Sequence, residues 1–167
     1  MRLMMFCQLF LMINIVSANE LEVTNLRNLY YQAAENEAAS KKLSNLLEKV
    51  NTKSSPIFVC YKGAADMMEA KYAFNPISKL SKFKKGKNLI EAAIKLDPND
   101  MEMRFLRFSI QTNLPGFLGY DNSIKNDKEV LISKISTVKD ENLKGRIISY
   151  LSSSKYCTKE EIKKLKV

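Results

Sequence analysis

Histidine is absent from this chain, and so is tryptophan. Without histidine there can be no Ser-His-Asp or Cys-His catalytic pair, no imidazole general base and no HExxH zinc site. The chain also lacks a P-loop, a GxGxxG turn, a CxxC pair and an EF-hand loop. These absences exclude the familiar routes to redox and metal chemistry, and we predict no cofactor and no metal ion.

Paired carboxylates remain as a route to catalysis, because two of them are enough for glycoside hydrolysis. Most of the candidates lie at predicted helix starts, where acidic side chains commonly cap the backbone. The absence of tryptophan further weakens the case for a sugar-binding cleft. A carboxylate-dependent glycan hydrolase is therefore only the third function considered, and its candidates are Asp66, Glu69, Asp97, Asp100, Glu102 and Asp127.

Cysteine is scarce, with three in the chain. Cys7 lies in an apolar N-terminal segment, so Cys60 and Cys157 are the candidate disulfide if the chain folds in an oxidising compartment. The alternative is two separate thiols, because Cys60 lies in an apolar helix, where cysteine behaves as a small hydrophobic residue. The sequence alone leaves both alternatives open.

The N-terminal segment has the pattern of a secretory signal peptide. Arg2 is followed by almost unbroken apolar sequence from Leu3 to Val16, and then by the small residues Ser17 and Ala18. A spanning helix needs about 20 apolar residues, so this segment is too short to serve as one. We predict cleavage between Ala18 and Asn19, which removes residues 1–18 and leaves no stable membrane span.

The chain is basic, with a formal net charge of +9. In an exported protein, periplasmic or secreted, such a charge suits anionic partners of the envelope, and we predict no nucleic-acid partner. The densest basic run, Lys79–Lys87, could rest on an anionic membrane with Phe83 among its lysines. Helical spacing distributes the lysines over more than one side, so we interpret the run as a solvated face.

Nearly every segment after residue 18 has helical periodicity, and no convincing alternating strand pattern occurs. We predict a single α-helical domain over 19–167, with about eight helices in antiparallel pairs. A bend or break is expected near Glu35–Glu37. The predicted helix-start signals are Ser55-Pro56, Asn75-Pro76, Asn99 with Glu102, Asp140, and Thr158 with Glu161.

The fourth and fifth predicted helices each have a feature that bears on how they pack. Gly86 lies in the middle of the fourth helix, where glycine costs about 1 kcal/mol relative to alanine, so it either permits close packing or marks a kink. The fifth helix has two apolar faces, which predicts burial between two layers. One face carries Met101, Phe105 and Phe108, and the other carries Met103, Leu106 and Ile110.

The fifth helix also carries two arginines, which must be satisfied if the helix is buried. Arg104 and Arg107 are three residues apart and therefore neighbours on one side. The structural interpretation pairs them with Glu69, Asp127 or carbonyl groups at helix ends. The functional interpretation is an anion-binding surface, with the candidate ligand-binding residues Tyr61, Lys62, Arg104, Arg107 and Gln111.

The stretch from Gly86 to Tyr120 includes the segments L-I-E-A-A-I-K-L-D-P-N-D and L-P-G-F-L-G-Y. It resembles small exported helical proteins of Gram-negative bacteria that have no assigned activity. The resemblance extends from about Leu26 to Tyr150 and implies a TPR-like α–α superhelix. It includes no catalytic motif that could be transferred to this chain.

These observations favour an exported, non-enzymatic binding or scaffold protein. We predict that it contacts a protein or peptide partner in the cell envelope through a groove between helices. The alternative is a small-ligand or anion-binding protein that uses Arg104 and Arg107. The sequence identifies neither the partner nor the oligomeric state.

Overall fold

The computed structural model describes residues 22–165, which form eight α-helices and two 3-10 turns without a β-strand. The predicted all-helical fold is therefore confirmed. The predicted signal peptide, its cleavage site and Cys7 lie outside the described residues. The helices are α1 Val23–Ala33, α2 Glu37–Leu46, α3 Pro56–Tyr72, α4 Pro76–Leu96, α5 Met101–Asn113, α6 Ile124–Lys134, α7 Glu141–Ser153 and α8 Lys159–Lys164, and the 3-10 turns are Gly116–Leu118 and Ile135–Thr137.

Local capping explains where most helices begin. Pro56 and Pro76 occupy the first turns of α3 and α4, where a missing N–H leaves no bond unmade. The Asn75 side chain caps α4, whereas Ser55 makes no side-chain cap. The expected break between α1 and α2 is confirmed, because Asn36 caps a new helix there.

The start of α5 differs from the prediction. The pairing of Asn99 with Glu102 is wrong, because the Asp100 carboxylate accepts the Met103 N–H at 2.8 Å instead. Glu102 is buried and used in the core. The other predicted starts are confirmed, with Asp140 capping α7 and a capping box at Thr158 and Glu161.

Helices α3 and α4 form an antiparallel hairpin in which the two backbones touch. A Cβ atom on Gly63 would lie 2.6 Å from the carbonyl oxygen of Gly86, and one on Gly86 would lie 2.5 Å from that of Gly63. No larger side chain fits between two backbones at this distance. Gly86 therefore permits close packing and does not mark a kink.

Two clusters of buried apolar side chains form the core, and α5 belongs to both. The first core cluster joins α1 to α5 and includes Met103, Leu106 and Ile110. The second core cluster joins α5 to α8 and includes Phe105 and Phe108. The predicted burial of α5 between two layers is confirmed, and this helix connects the two halves of the structure.

Candidate functional site

The two arginines of α5 converge on one carboxylate of α6. Asp127 is fully buried and accepts Arg107 Nε at 2.7 Å, Arg107 Nη2 at 2.8 Å and Arg104 Nη1 at 2.7 Å. Arg107 Nη1 also donates to Glu91 at 2.7 Å, and Arg104 Nε donates to the Pro98 carbonyl at 2.6 Å. This geometry joins α4, α5 and α6 through charged hydrogen bonds.

An anion bound to this pair would have to displace the Asp127 carboxylate. Such a displacement is unfavourable, because an unpaired buried charge costs several kcal/mol. Although burial opposes its charge, hydrogen bonding to Asp127 raises the pKa of Arg107. Of the predicted arginine partners, Asp127 and a helix-end carbonyl are found, whereas Glu69 pairs with Lys82. The geometry therefore favours the structural interpretation of the arginines over an anion site.

Tyr61 belongs to a second network, centred on Glu102. The Tyr61 hydroxyl donates to Glu102 Oε1 at 2.5 Å, and Arg27 donates to both Glu102 oxygens at 2.7 and 2.8 Å. Arg27 Nη1 also lies 2.9 Å from Asp140 Oδ2, at the start of α7. Burial raises the pKa of Tyr61, so the hydroxyl stays protonated and acts as a donor. This network ties α1, α3, α5 and α7 together.

The remaining two candidate ligand-binding residues lie in other environments. Lys62 Nζ donates to the carbonyls of Glu48, at 2.9 Å, and Val50, which follow the C-terminal end of α2. Gln111 is buried, and within residues 22–165 neither its side-chain nitrogen nor its oxygen has a hydrogen-bond partner. Four of the five candidates therefore make separate structural contacts, Gln111 makes no side-chain hydrogen bond among residues 22–165, and the structure does not bring the five together.

The acidic residues considered for glycan hydrolysis are engaged in contacts that stabilise the fold. Four are ion-paired and two accept backbone N–H groups, which is the role expected of aspartate near helix starts. A hydrolase needs two carboxyl groups available across a cleft, so these contacts give that hypothesis no support. The pairs are Asp66–Lys85, Glu69–Lys82, Glu102–Arg27, Asp127–Arg107, Asp97–Asn99 and Asp100–Met103.

The two described cysteines are free thiols. Cys60 is fully buried in the first core cluster, whereas Cys157 is half-buried against the second. Burial raises the pKa of both thiols. The structure therefore contains two separate thiols, which was the alternative to the candidate disulfide.

An open groove of about 550 Å³ runs along α7 and is also lined by one residue each of α1 and α5. Its apolar side is formed by Tyr31, Phe105 and Tyr150, and the Phe105 and Tyr150 rings pack edge to face with centroids 5.6 Å apart. Its polar side is formed by side chains along α7. The polar lining residues are Glu141, Asn142, Arg146, Ser149 and Ser153.

Arg146 shapes one wall of the groove. Its guanidinium lies over the Tyr31 ring, 4.4 Å from the centroid, and donates to Asn28 at 3.0 Å and to Asn142 at 2.9 Å. Gly145 lies beside it on α7, and a Cβ atom there would meet nothing within 4 Å. The groove is therefore bounded by fixed side chains and open at Gly145.

None of the candidate ligand-binding residues predicted from the sequence lines this groove. The lining was missed because Phe105 was predicted as a core position of α5, and no local pattern connects it with Tyr31 on α1 and Tyr150 on α7. The available signal was Gly145, a glycine inside a helix whose neighbours are polar. Glycine inside a helix costs about 1 kcal/mol relative to alanine, so its presence there calls for an explanation.

No family model, curated protein or solved structure matches the chain. The resemblance to small exported helical proteins therefore stays a prediction. Among residues 22–165, no helix is both long enough and apolar enough to cross a membrane. Over the same range, no group of three or more acidic or cysteine side chains is placed to hold a metal ion.

Proposed function

We propose that this chain is an exported, non-enzymatic binding protein that holds a peptide segment of an envelope protein in the groove between α1 and α7. The observation that carries the proposal is the groove itself, an open space of about 550 Å³ with aromatic rings on one side and polar groups on the other. Peptide-binding grooves between helices combine these two features, because side chains need apolar contacts and the backbone needs hydrogen-bond partners.

The construction of the groove supports a binding role. Contacts from α1 to α7 include the Arg27–Asp140 pair, the Arg146–Asn28 hydrogen bond and the stacking of Arg146 on Tyr31. These contacts fix the position of α7 relative to α1, and with it the shape of the groove. A groove with fixed walls loses little entropy when a partner binds.

We also propose that the helices form a TPR-like superhelix and that the chain is exported, as the sequence predicts. A TPR-like superhelix is consistent with the pairwise packing of successive helices from α1 to α6, because repeat proteins stack neighbouring helices in this way. Export through the signal peptide at residues 1–18 would bring the chain to an envelope partner. The proposed partner is thus a protein or peptide of the periplasm or the cell surface.

Filling the groove tests this proposal. In Gly145→Trp, an indole ring would extend into the open space at Gly145, and we expect it to abolish partner capture. The matched control is Gly145→Ala, which changes the same position without filling the groove. Tagged wild-type and variant proteins are incubated with the envelope fraction of the source cells, and the captured proteins are compared by mass spectrometry.

A photocrosslinker locates the contact directly. At Ser149, which lines the groove, it should join the partner, whereas at the exposed Lys42 on α2 it should not. Equal capture by wild type and Gly145→Trp, with both proteins folded to the same thermal stability, would contradict the groove as the binding site. Crosslinks from position 42 alone would contradict it as well.

A further inference from the structure

Three exposed apolar side chains lie together where α3 turns into α4. Phe74, in the turn, is fully exposed at 102 %, and Ile77 and Leu80 on α4 are 80 % and 46 % exposed. Ile77 and Leu80 are three residues apart and so share one side of the helix. None of the three belongs to either core cluster. We call Phe74, Ile77 and Leu80 the hairpin tip.

The sequence around the hairpin tip is strongly positive. From Lys71 to Lys87 there are six lysines and no acidic residue. Two of the six pair with carboxylates of α3, and one lies over the Tyr120 ring. Lys79 and Lys84 are exposed and have no ion-pair partner in the described part of the chain. Lys84 is four residues beyond Leu80 and therefore lies on the same side of α4.

We propose that the hairpin tip docks on a lipid bilayer that has anionic headgroups. Phe74 and Ile77 would enter the interface between headgroups and acyl chains, while Lys79 and Lys84 would contact the phosphates. An exposed apolar patch with a charged rim marks an interaction surface, and the sign of this rim selects a negatively charged one. This surface lies on a different element from the groove, so it adds a function to the proposed peptide binding.

The hairpin presents the tip rigidly. Asn75 caps α4 and Pro76 fixes its first turn, so the chain direction at the tip is set by local structure. Behind the tip, the contact between Gly63 and Gly86 locks the two helices together. No rearrangement is needed before the apolar side chains reach a membrane surface, which lowers the entropy lost on docking.

The structure changes the interpretation of Lys79–Lys87 as a solvated face. The aromatic residue within this run, Phe83, is buried in the first core cluster and cannot contact a membrane. The apolar partners of the run are Ile77 and Leu80, which precede Phe83 on the exposed side of α4. With two lysines paired to α3, Lys84 is an exposed lysine without an ion pair among residues 22–165, on the side of α4 that carries Ile77 and Leu80.

The absence of tryptophan makes a direct test available, because one substitution introduces a single fluorescent reporter. Phe74→Trp in the full chain places that reporter in the tip. We expect its emission to move to shorter wavelength with vesicles of phosphatidylglycerol and phosphatidylcholine in equal amounts, and to stay unchanged with phosphatidylcholine alone. The signal reports position 74 only, so binding by the N-terminal apolar segment does not imitate it.

Leu96→Trp is the matched control, because Leu96 is an exposed apolar residue, 65 % exposed, at the far end of α4. It lies about 30 Å along the helix from Pro76, given a rise of about 1.5 Å per residue. Its emission should not change with either vesicle. Replacing Lys79 and Lys84 by glutamine in the Phe74→Trp chain should lower vesicle affinity about 30-fold, at about 1 kcal/mol per lysine.

Three results would overturn the docking proposal. The first is unchanged Phe74→Trp emission with anionic vesicles, and the second is an equal shift for Leu96→Trp. The third is a shift produced by a captured partner protein and not by vesicles, which would place a protein on the tip. None of these results affects the groove, which is tested separately at Gly145.

Discussion

The two halves of this structure differ in the contacts that hold their helices in place. In the first core cluster, α3 and α4 pack backbone against backbone at Gly63 and Gly86, around fully buried apolar side chains. The second core cluster is smaller, and α6 and α7 are joined to the first half by charges, through Asp127 and Asp140. Both halves have buried apolar side chains, but the first half contains a backbone contact that leaves no space, and the second half is joined to the first through a few ion pairs as well.

This difference predicts how each half fails. Where two backbones touch, an added methyl group has no space to occupy, so it must force the helices apart. A buried ion pair is sensitive in another way, since the removal of one partner leaves the other charge unpaired. Overpacking should therefore open the first half, and loss of a carboxylate should open the second.

Labelling of the two described cysteines reports separately on the opening of each half. Cys60 is fully buried, so it reacts with a thiol reagent when the first half opens. Cys157 is half-buried against the second core cluster, so opening of the second half is measured as an increase over its labelling rate in wild type. Peptide-level mass spectrometry resolves the two sites from each other and from Cys7. The relative labelling rates show which half opens in each of the variants below.

The largest effect is expected at Asp127. Asp127→Ala leaves Arg104 and Arg107 without their shared carboxylate and should lower the free energy of unfolding by about 3–5 kcal/mol. Urea denaturation measures this loss, and labelling of Cys157 should accelerate more than that of Cys60. The control is Glu91→Gln, which alters a half-buried partner of Arg107 and should cost about 1 kcal/mol or less. Equal acceleration at both cysteines would show that the halves open together.

The second-largest loss of stability is expected at Gly63 in the first half, from an added atom instead of a removed charge. Gly63→Ala places a Cβ atom 2.6 Å from the Gly86 carbonyl oxygen and should cost about 1–3 kcal/mol by forcing α3 and α4 apart. Labelling of Cys60 should now accelerate more than that of Cys157. A variant as stable as wild type would show that the two helices can separate without loss, and the contrast between shape and charge would be wrong.

Sequence reasoning predicted those parts of the molecule that local chemistry determines. Proline and capping residues gave the starts of α3, α4, α7 and α8, and periodicity gave the two faces of α5. Asp127 was also among the named partners of the arginines, because a buried arginine on α5 needs a carboxylate from a nearby helix.

The groove and the Glu102 network could not be predicted in this way. Arg27 and Glu102 are 75 residues apart, and Arg146 and Asn28 are 118 apart, so no local pattern connects them. The wrong prediction of a capping pair at Asn99 and Glu102 has the same cause, because local spacing does not reveal contacts with distant residues. The spacing fitted a cap, but a distant arginine binds the glutamate.

A smaller effect is expected at Asp140, where a cap and an ion pair coincide. The Leu143 N–H, and then Arg27, lower the pKa of Asp140, so its contribution to stability is present above the usual aspartate pKa of about 3.9 and is lost as the pH falls below it. Asp140→Ala should cost about 1 kcal/mol at neutral pH through loss of the cap. Asp140→Asn keeps a capping side chain and isolates the ion pair with Arg27.

Urea denaturation of the two Asp140 variants at neutral pH and in acid separates these contributions. Both variants should lose less stability than wild type on acidification, since neither has the carboxylate. If wild type and Asp140→Asn respond equally to acid, the carboxylate does not hold the second half in place.

The smallest expected effect is an increase in stability at Gly145, and it tests whether the groove is open. Gly145 lies inside α7, and a Cβ atom there meets nothing within 4 Å, so Gly145→Ala should stabilise the chain by about 0.5–1 kcal/mol through reduced backbone entropy of the unfolded state. Thermal denaturation measures the gain, and Gly63→Ala is its counterpart in a closed contact. A loss of stability would mean that another segment occupies the groove at Gly145. In that case the groove would not be available to a partner, and this face of the second half would be closely packed, as the contact between Gly63 and Gly86 is in the first half.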